Sequence, residues 1–338
     1  MRLFVSLVTY NAADLTIDCL DSIASELERV PECRVIVIDN CSSDGSAERI
    51  GAALEQRGYG WAEFVVAPSN RGYAAGNNIA IRMALESADP PDYILLLNPD
   101  TVVRPNAFRI LIDFMDAHPD AGIAGSRSED PDGTPQCCCF RFPSAASEFL
   151  GNIRIGLLGR IFHRARAQVP ISDAAHEIDW VSGASMIIRR SVFDDAGLMD
   201  EGYFLYFEET DFTLRARRAG WKCWHVPESR VVHFVGHTGG ISKRDGPRRR
   251  HPTYWFDSRR RYFLKNRGVL YTALVDFATI SGIFLWNLRA MLLFRANTNP
   301  PMTLRDYCRH SVFISGTKLP SQDDGKPIAE PVPVTGER

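Results

Sequence analysis

The sequence predicts an α/β fold: a parallel sheet with helices on both faces, followed by a helical C-terminal region. Three observations carry that expectation. Short apolar runs rich in β-formers are spaced by segments of helical periodicity through the N-terminal half. The runs do not alternate apolar with polar, so both of their faces are covered, as in a parallel sheet. Polar clusters fall at the ends of the runs, where open α/β sheets bind their ligands.

The elements follow in order. Leu3 to Val8 is the first strand, and Asp14 is placed to cap a helix whose Leu20, Ala24 and Leu27 share a face. Val35 to Ile38 is a second buried strand, followed by a turn over Asp39 to Gly45. Ala47, Ile50 and Leu54 then repeat at helical spacing. Phe64 to Ala67 reads as a strand, Asn77 to Leu85 as a helix and Tyr93 to Leu97 as a strand. Arg127 to Pro143 reads as a loop or hairpin, and Trp180 to Arg189 as one strand. Thr213 to Ala219 reads as a helix stopped by Gly220, with short strands over Lys222 to Val226 and Arg230 to Phe234. Gly236 to Pro252 is rich in Gly, Pro and charge and is expected to be a mobile loop. Val269 to Phe294 is apolar but contains Asp276, Asn287 and Arg289. A membrane span needs roughly 20 nearly uninterrupted apolar residues, so a packed or interfacial helix fits better. From Lys318 the chain is rich in Pro, Gly and charge, the composition of a disordered tail.

A chain of 338 residues can bury a full core. Lys plus Arg is 39 and Asp plus Glu is 41, so there is no global basic field and nucleic acid is not expected as a partner. Basic residues do crowd one stretch: Lys243, Arg244, Arg248 to Arg250, Arg259 to Arg261, Lys265 and Arg267. A solvated face accounts for such a run, and so does capture of diphosphate or anionic lipid headgroups. The eight cysteines make no disulfide framework. The contiguous Cys137, Cys138 and Cys139 suit neither zinc spacing nor ordinary bridges, so reduced thiols in the cytosol are expected.

The chemistry-bearing residues sit at the strand ends. Asn98-Pro99-Asp100 follows the run Ile94 to Leu97, and its side-chain oxygens suit a hard cation such as Mg²⁺ or Mn²⁺. Alone, the tripeptide reads first as a strand-ending turn. Asp39 ends the second strand and can accept from ribose hydroxyls or a base N–H. Asp44 is either near the ligand or a helix cap. Asn70 to Asn78 is a glycine-containing loop before a helix, where Arg71 can meet phosphate. Neither a dinucleotide fingerprint nor a P-loop is present, which argues against those classes. Glu208, Glu209 and Asp211 exceed what a helix N-terminus needs, and one of them suits a general base. His233 and His237 are candidate partners of Asp100 in a metal shell, although a lone His is more often structural.

Taken in order, Val-Thr-Tyr-Asn, Val-Ile-Asp-Asn-x-Ser-x-Asp-Gly-Ser, the Asn70 to Asn78 loop, Leu-Asn-Pro-Asp, Gly-Ala-x-Met, Glu-Glu-x-Asp and a following His resemble the family 2, GT-A-fold inverting glycosyltransferases. The resemblance runs from about Leu3 to Gly240 and is greatest to the bacterial rhamnosyltransferase branch. It implies a nucleotide-diphosphate sugar donor, dTDP-rhamnose ahead of a UDP-sugar, and a saccharide or lipid-linked acceptor in cell-surface polysaccharide synthesis. It implies that Thr9, Tyr10 and Asn11 line the nucleotide pocket, with Asp39 on the base and Asp44 near the nucleotide. It implies that Asn98 and Asp100 hold the Asp-x-Asp place, with Asp100 the metal ligand and His233 its better-matched histidine. Gly183 and Ala184 border the donor sugar or acceptor. The base falls at Glu209, where the family carries Asp, and that departure keeps Asp211 as a rival. The expected organisation is a GT-A domain over 1–240, a basic loop and helical region over 241–316 and a disordered tail over 317–338. Cytosolic location at the inner membrane face goes with such acceptors. The competing expectations are a catalytically inactive nucleotide-sugar-binding protein, prompted by Asn98 and Glu209, and a nucleotidyltransferase.

Overall fold

The structure, a computed structural model, describes residues 2–155, 161–234, 249–297 and 299–320. Two compact units divide the chain: Met1–Phe140 with Pro170–Glu201 and Glu208–Phe234, and Arg141–Val169 with Gly202–Phe207 and Val235–Arg338.

The first unit is an α/β sheet unit. Its strands are β1 (Leu3–Thr9), β2 (Cys33–Asp39), β3 (Ala62–Val66), β4 (Tyr93–Leu97), β5 (Thr101–Val103), β6 (Ala121–Glu129), β7 (Cys139–Phe140), β8 (His176–Ile178), β9 (Trp180–Val181), β10 (Ser185–Arg189) and β11 (Lys222–His233). The main sheet runs β3-β2-β1-β4-β10-β6-β11-β5, with β8 also on β11, and β7 pairs β9 separately. β3, β2, β1 and β4 are parallel, as their unbroken apolar character predicts. β10 is antiparallel to both neighbours, making the sheet mixed. Leu3, Val5, Leu7, Val35, Val37, Leu95 and Leu97 form the centre of the core, against the helices Ala13–Leu27 and Ala107–Ala117. Helix Gly72–Leu85 lies close on β1, where a Cβ on Gly76 would stand 2.7 Å from Val8.

Several expectations need correction. Trp180 to Arg189 is two strands, broken at Ser182–Ala184. The two short strands expected over Lys222 to Phe234 are one long strand, Lys222–His233, with register shifts, one of them between Val226 and Arg230, around Pro227, which has no N–H for a ladder. The helix expected from Thr213 begins at Glu208. Asp14 does not cap its helix; it pairs with Arg49. Arg127 to Pro143 contributes the end of β6 and β7.

The second unit is helical. Helix Thr253–Leu292 is interrupted at Gly268, whose φ of 78° breaks the helical path. A Cβ on Gly282 would stand 3.0 Å from the Phe149 carbonyl, so glycine lets this helix lie close on helix Ala145–Ile153. Asp276 is buried here because Arg259 donates to it at 2.7 Å and the Val312 N–H donates to it at 2.9 Å. Arg259 also reaches Glu148 and Thr279. Arg250 donates to both carboxylate oxygens of Asp306 through Nε and Nη2. These two arginines of the basic stretch therefore serve internal ion pairs. The opposite face of the long helix is apolar and exposed: Leu270 is 88% exposed, and Leu274, Phe277, Phe284, Leu288 and Met291 continue the stripe. By length and composition this helix is apolar enough to cross a membrane. His237, Lys243, Arg244, Arg248 and the tail from 321 lie outside the described residues.

Candidate active site

All of the geometry below belongs to the sheet unit. Asn98, Pro99 and Asp100 link central β4 to the edge strand β5, so the chain leaves the middle of the sheet and crosses its end. The Asn98 N–H donates to the Ala184 carbonyl at 3.2 Å, and Thr101 Oγ1 donates back to the Asn98 carbonyl at 2.7 Å. These bonds fix the tripeptide between β5 and the break before β10.

Asp100 is 1% exposed. β5 pairs with β11 so that Thr101 faces His233, and this register sets His233 Nε2 3.3 Å from Asp100 Oδ1. The Phe234 N–H donates to the Asp100 carbonyl at 2.9 Å, and Gln136 Nε2 to the His233 carbonyl at 2.9 Å. A carboxylate oxygen and an imidazole nitrogen at that separation match adjacent corners of an octahedron with bonds of about 2.1 Å, whose edge is roughly 3 Å. The donor set thus fits a hard divalent cation.

The break in the β9–β10 segment has its own cause. Gly183 N–H donates to Glu209 Oε1 at 3.0 Å, and Tyr73 Oη donates to the Gly183 carbonyl at 3.2 Å. A Cβ on Gly183 would collide with the Glu209 carboxylate and stand 2.9 Å from Tyr73 Oη. Burial raises the Glu209 carboxyl above its ordinary value, although the Gly183 N–H opposes the shift. Burial also pushes the Tyr73 hydroxyl well up, and the Glu209, Glu208 and Asp100 carboxylates add to that push. Asp100 and Glu209 thus both lie within electrostatic reach of one tyrosine. Tyr73 was not singled out from the sequence; its place in the Asn70 to Asn78 loop was the available signal.

Asp211 is different from Glu209. It is 0% exposed and accepts from Arg215 Nε at 3.0 Å, one helical turn on. Arg215 also donates to the Ala196 and Leu198 carbonyls. Asp211 is therefore tied into the interior, while half-buried Glu209 faces Gly183.

At the end of β2, Asp39 is 0% exposed. Its Oδ2 accepts from the Ser42 N–H at 2.8 Å, and its Oδ1 has no hydrogen-bond partner among the described residues. A buried carboxylate oxygen left so is costly unless a donor arrives from outside. Asn11 accepts from the Ser43 N–H and donates through its own N–H to Ser42, and Asp44 accepts from the Ser46 N–H. Asn11 and Asp44 thus brace the turn after Asp39. Thr9 Oγ1 is engaged with Thr16 Oγ1 at 2.8 Å, and Tyr10 is half-buried beside it. Arg71 pairs with Glu201 at 3.2 Å. The Asn70 to Asn78 segment, expected as a loop, is helical from Gly72, and its asparagines are structural: Asn70 accepts from Asn40, Asn77 from Ser6, and Asn78 from the Met199 N–H.

Comparison with known proteins identifies the family and the fold. The family model described as glycosyl transferase family 2 matches residues 5–137, and that of glycosyl transferase family group 2 matches residues 93–304. The second match runs beyond the sequence motifs into the long helix. An N-acetylglucosaminyl-diphospho-decaprenol L-rhamnosyltransferase of Mycobacterium tuberculosis is 30% identical over 247 residues, 69% of this chain and 76% of that protein. The dTDP-rhamnosyl transferase RfbF of Shigella flexneri is 25% identical, over 70% of each chain. Among solved structures, the mannosyltransferase PcManGT from Pyrobaculum calidifontis, in complex with GDP-Man and Mn²⁺, superposes with a TM-score of 0.54 at 14% identity, over 94% of this chain and 84% of that one. That likeness bears out the GT-A fold.

Proposed function

This chain belongs to glycosyl transferase family 2, and from that premise we propose that it transfers rhamnose from dTDP-rhamnose to a lipid-linked saccharide, inverting the anomeric centre. The observation that carries the reading is the convergence of Asp100, His233, Gly183, Tyr73 and Glu209 at the sheet's ligand-binding end. The nucleotide base sits against Asp39, whose buried Oδ1 takes a base N–H. Tyr10 lines the same pocket, while Thr9, Asn11 and Asp44 hold its walls. Arg71, half exposed and paired with Glu201, is the donor's phosphate contact in this reading.

Asp100 and His233 would hold Mg²⁺ or Mn²⁺, with Asn98 helping through hydrogen bonds. Such an ion, when bound, supplies positive charge beside the departing diphosphate. Glu209 takes the proton of the acceptor hydroxyl. The acceptor oxygen then bonds to the anomeric carbon from the face opposite the diphosphate as the bond to the diphosphate oxygen breaks. The raised Glu209 carboxyl is a better proton acceptor than an exposed glutamate. Gly183 lets the carboxylate lie against the backbone, and its N–H aims one oxygen. Asp211, held by Arg215, orients the helix in this reading and remains the rival to Glu209 that the Glu209→Gln and Asp211→Asn variants separate.

The relative with decaprenol in its name motivates the lipid-linked acceptor. The exposed stripe from Leu270 to Met291 supports a peripheral seat on the inner membrane face. A release screen tests the reading: dTDP-, UDP- and GDP-sugars with Mg²⁺ or Mn²⁺, with and without a polyprenyl-diphosphate-linked acceptor. Acceptor-dependent release from dTDP-rhamnose is expected. Release from another donor would overturn the assigned sugar, and donor binding without any release would favour an inactive binding protein.

A further inference from the structure

One buried cluster has no part in the transfer reaction. Cys138 and Cys139 are each 6% exposed and His225 is 2% exposed. Their ligand atoms all lie within 4.8 Å of one another. Adjacent residues of a regular strand point to opposite faces. Cys138 precedes β7, however, so both thiols turn to the same side, with Sγ to Sγ at 3.7 Å. A tetrahedral ion with bonds to sulfur of about 2.3 Å has an edge of about 3.8 Å. The two thiols are therefore spaced as such an ion spaces its ligands.

His225 supplies a second observation. It lies on β11, opposite Gly125 of β6 and His176 of β8. Neither of its ring nitrogens has a hydrogen-bond partner among the described residues. A buried imidazole without a partner costs roughly 1–3 kcal/mol, and an ion between it and the thiols removes that cost. The Cys138 thiol donates to the Ser126 carbonyl at 3.7 Å.

We propose that Cys138, Cys139 and His225 bind a zinc-class divalent cation as a structural site separate from the Asp100–His233 pair. Two sulfurs and an imidazole select such a soft ion, whereas the oxygen-bearing pair selects Mg²⁺ or Mn²⁺. Three protein ligands leave one position for water or for buried Cys223, two residues before His225 on the same face of β11. The site braces the catalytic break from behind. The Ser182 N–H donates to the Cys138 carbonyl at 3.0 Å, directly before Gly183, and Gln136 holds the His233 carbonyl. Contiguous cysteines gave no zinc signature in the sequence because their third partner is remote in the chain.

The test is metal analysis and cobalt substitution of the reduced full-length protein. About one zinc per chain and a thiolate-to-cobalt charge-transfer band are expected. Both disappear in the Cys138→Ser, Cys139→Ser double variant and in His225→Gln, and both survive in Asp100→Ala. Trace zinc with no thiolate–cobalt absorption in the wild type would overturn the site, as would full zinc content in the double variant. The wild-type cobalt spectrum decides the matter even where a variant does not fold. It is independent of donor and acceptor identity, so its failure leaves the proposed transfer reaction standing.

Discussion

The two units use charge and apolar surface in opposite ways. In the sheet unit the strands Leu3–Thr9 and Tyr93–Leu97 are apolar and buried, and the carboxylates gather where the strands stop. In the helical unit Arg259 and Asp276 sit inside, and Arg259 donates to both Asp276 and half-buried Glu148, while Leu270, Phe277 and Phe284 face outward. A buried acid whose partners complete it is structural. An acid whose site raises its proton affinity, or leaves a buried oxygen for an outside donor, is available for chemistry. Asp276 is of the first kind, and Glu209 and Asp39 are of the second. Asp211 shows the rule at work inside the sheet unit, since Arg215 completes it two residues from Glu209.

The sharpest break in this comparison is Glu209→Gln. Loss of a general base costs about 10²–10⁴-fold in rate, and donor binding should persist. Because the folded protein raises the Glu209 proton affinity, its charge opposes folding above the ordinary carboxylate value of 4.5. The variant should therefore melt no lower than wild type at neutral pH. Asp211→Asn should instead lose about 1.5–3 kcal/mol of stability, the scale of a hydrogen bond to a charged group. In a pH series, the acid limb of kcat/KM should lie above 4.5 in the wild type, because the ionised form is required. An acid limb at or below that value would remove Glu209 from the base role.

Asp100→Ala should lower metal-dependent turnover by about 10²–10³-fold, the range for removing a preorganised charge-stabilising group, while circular dichroism stays that of the wild type. Gly183→Ala should cost about tenfold or more, since small displacements of a reacting group are felt at that scale. Retained activity in Gly183→Ala would mean that the Glu209 position is not held by this contact. The smallest effect on chemistry is expected from the helical unit. Leu274→Glu with Phe277→Glu should leave turnover of a soluble acceptor analogue unchanged. Partition onto anionic vesicles should fall about tenfold per side chain, as full burial of such a side chain is worth about 1.5–3 kcal/mol.

The elements legible in the sequence were those whose signal is local. Tyr93–Leu97 is apolar on both faces and ends at Asn98, so its limits and its exposed end could both be read. Ala121–Glu129 could not, because it is built from small residues. Gly122 and Gly125 are required there: a Cβ on either would stand 2.6 Å from Trp221 or 2.7 Å from Val181. Close approach of a neighbour removed the bulky side chains that mark a strand. In the site, Asp39, Asp100 and His233 stood out as polar residues at apolar strand ends. The difference between Glu209 and Asp211 did not, because it rests on Gly183 and Arg215. Tyr73 was hidden for the same reason, since its partner Gly183 is far along the chain.

The most direct measurement is dTDP release from dTDP-rhamnose by the purified wild-type chain and by Glu209→Gln, with a polyprenyl-diphosphate-linked acceptor and Mn²⁺. Acceptor-dependent release by the wild type, lost in the variant at unchanged donor affinity, is the predicted result. Equal release by the two proteins would contradict the assignment of Glu209, and with it the account of how this site transfers a sugar.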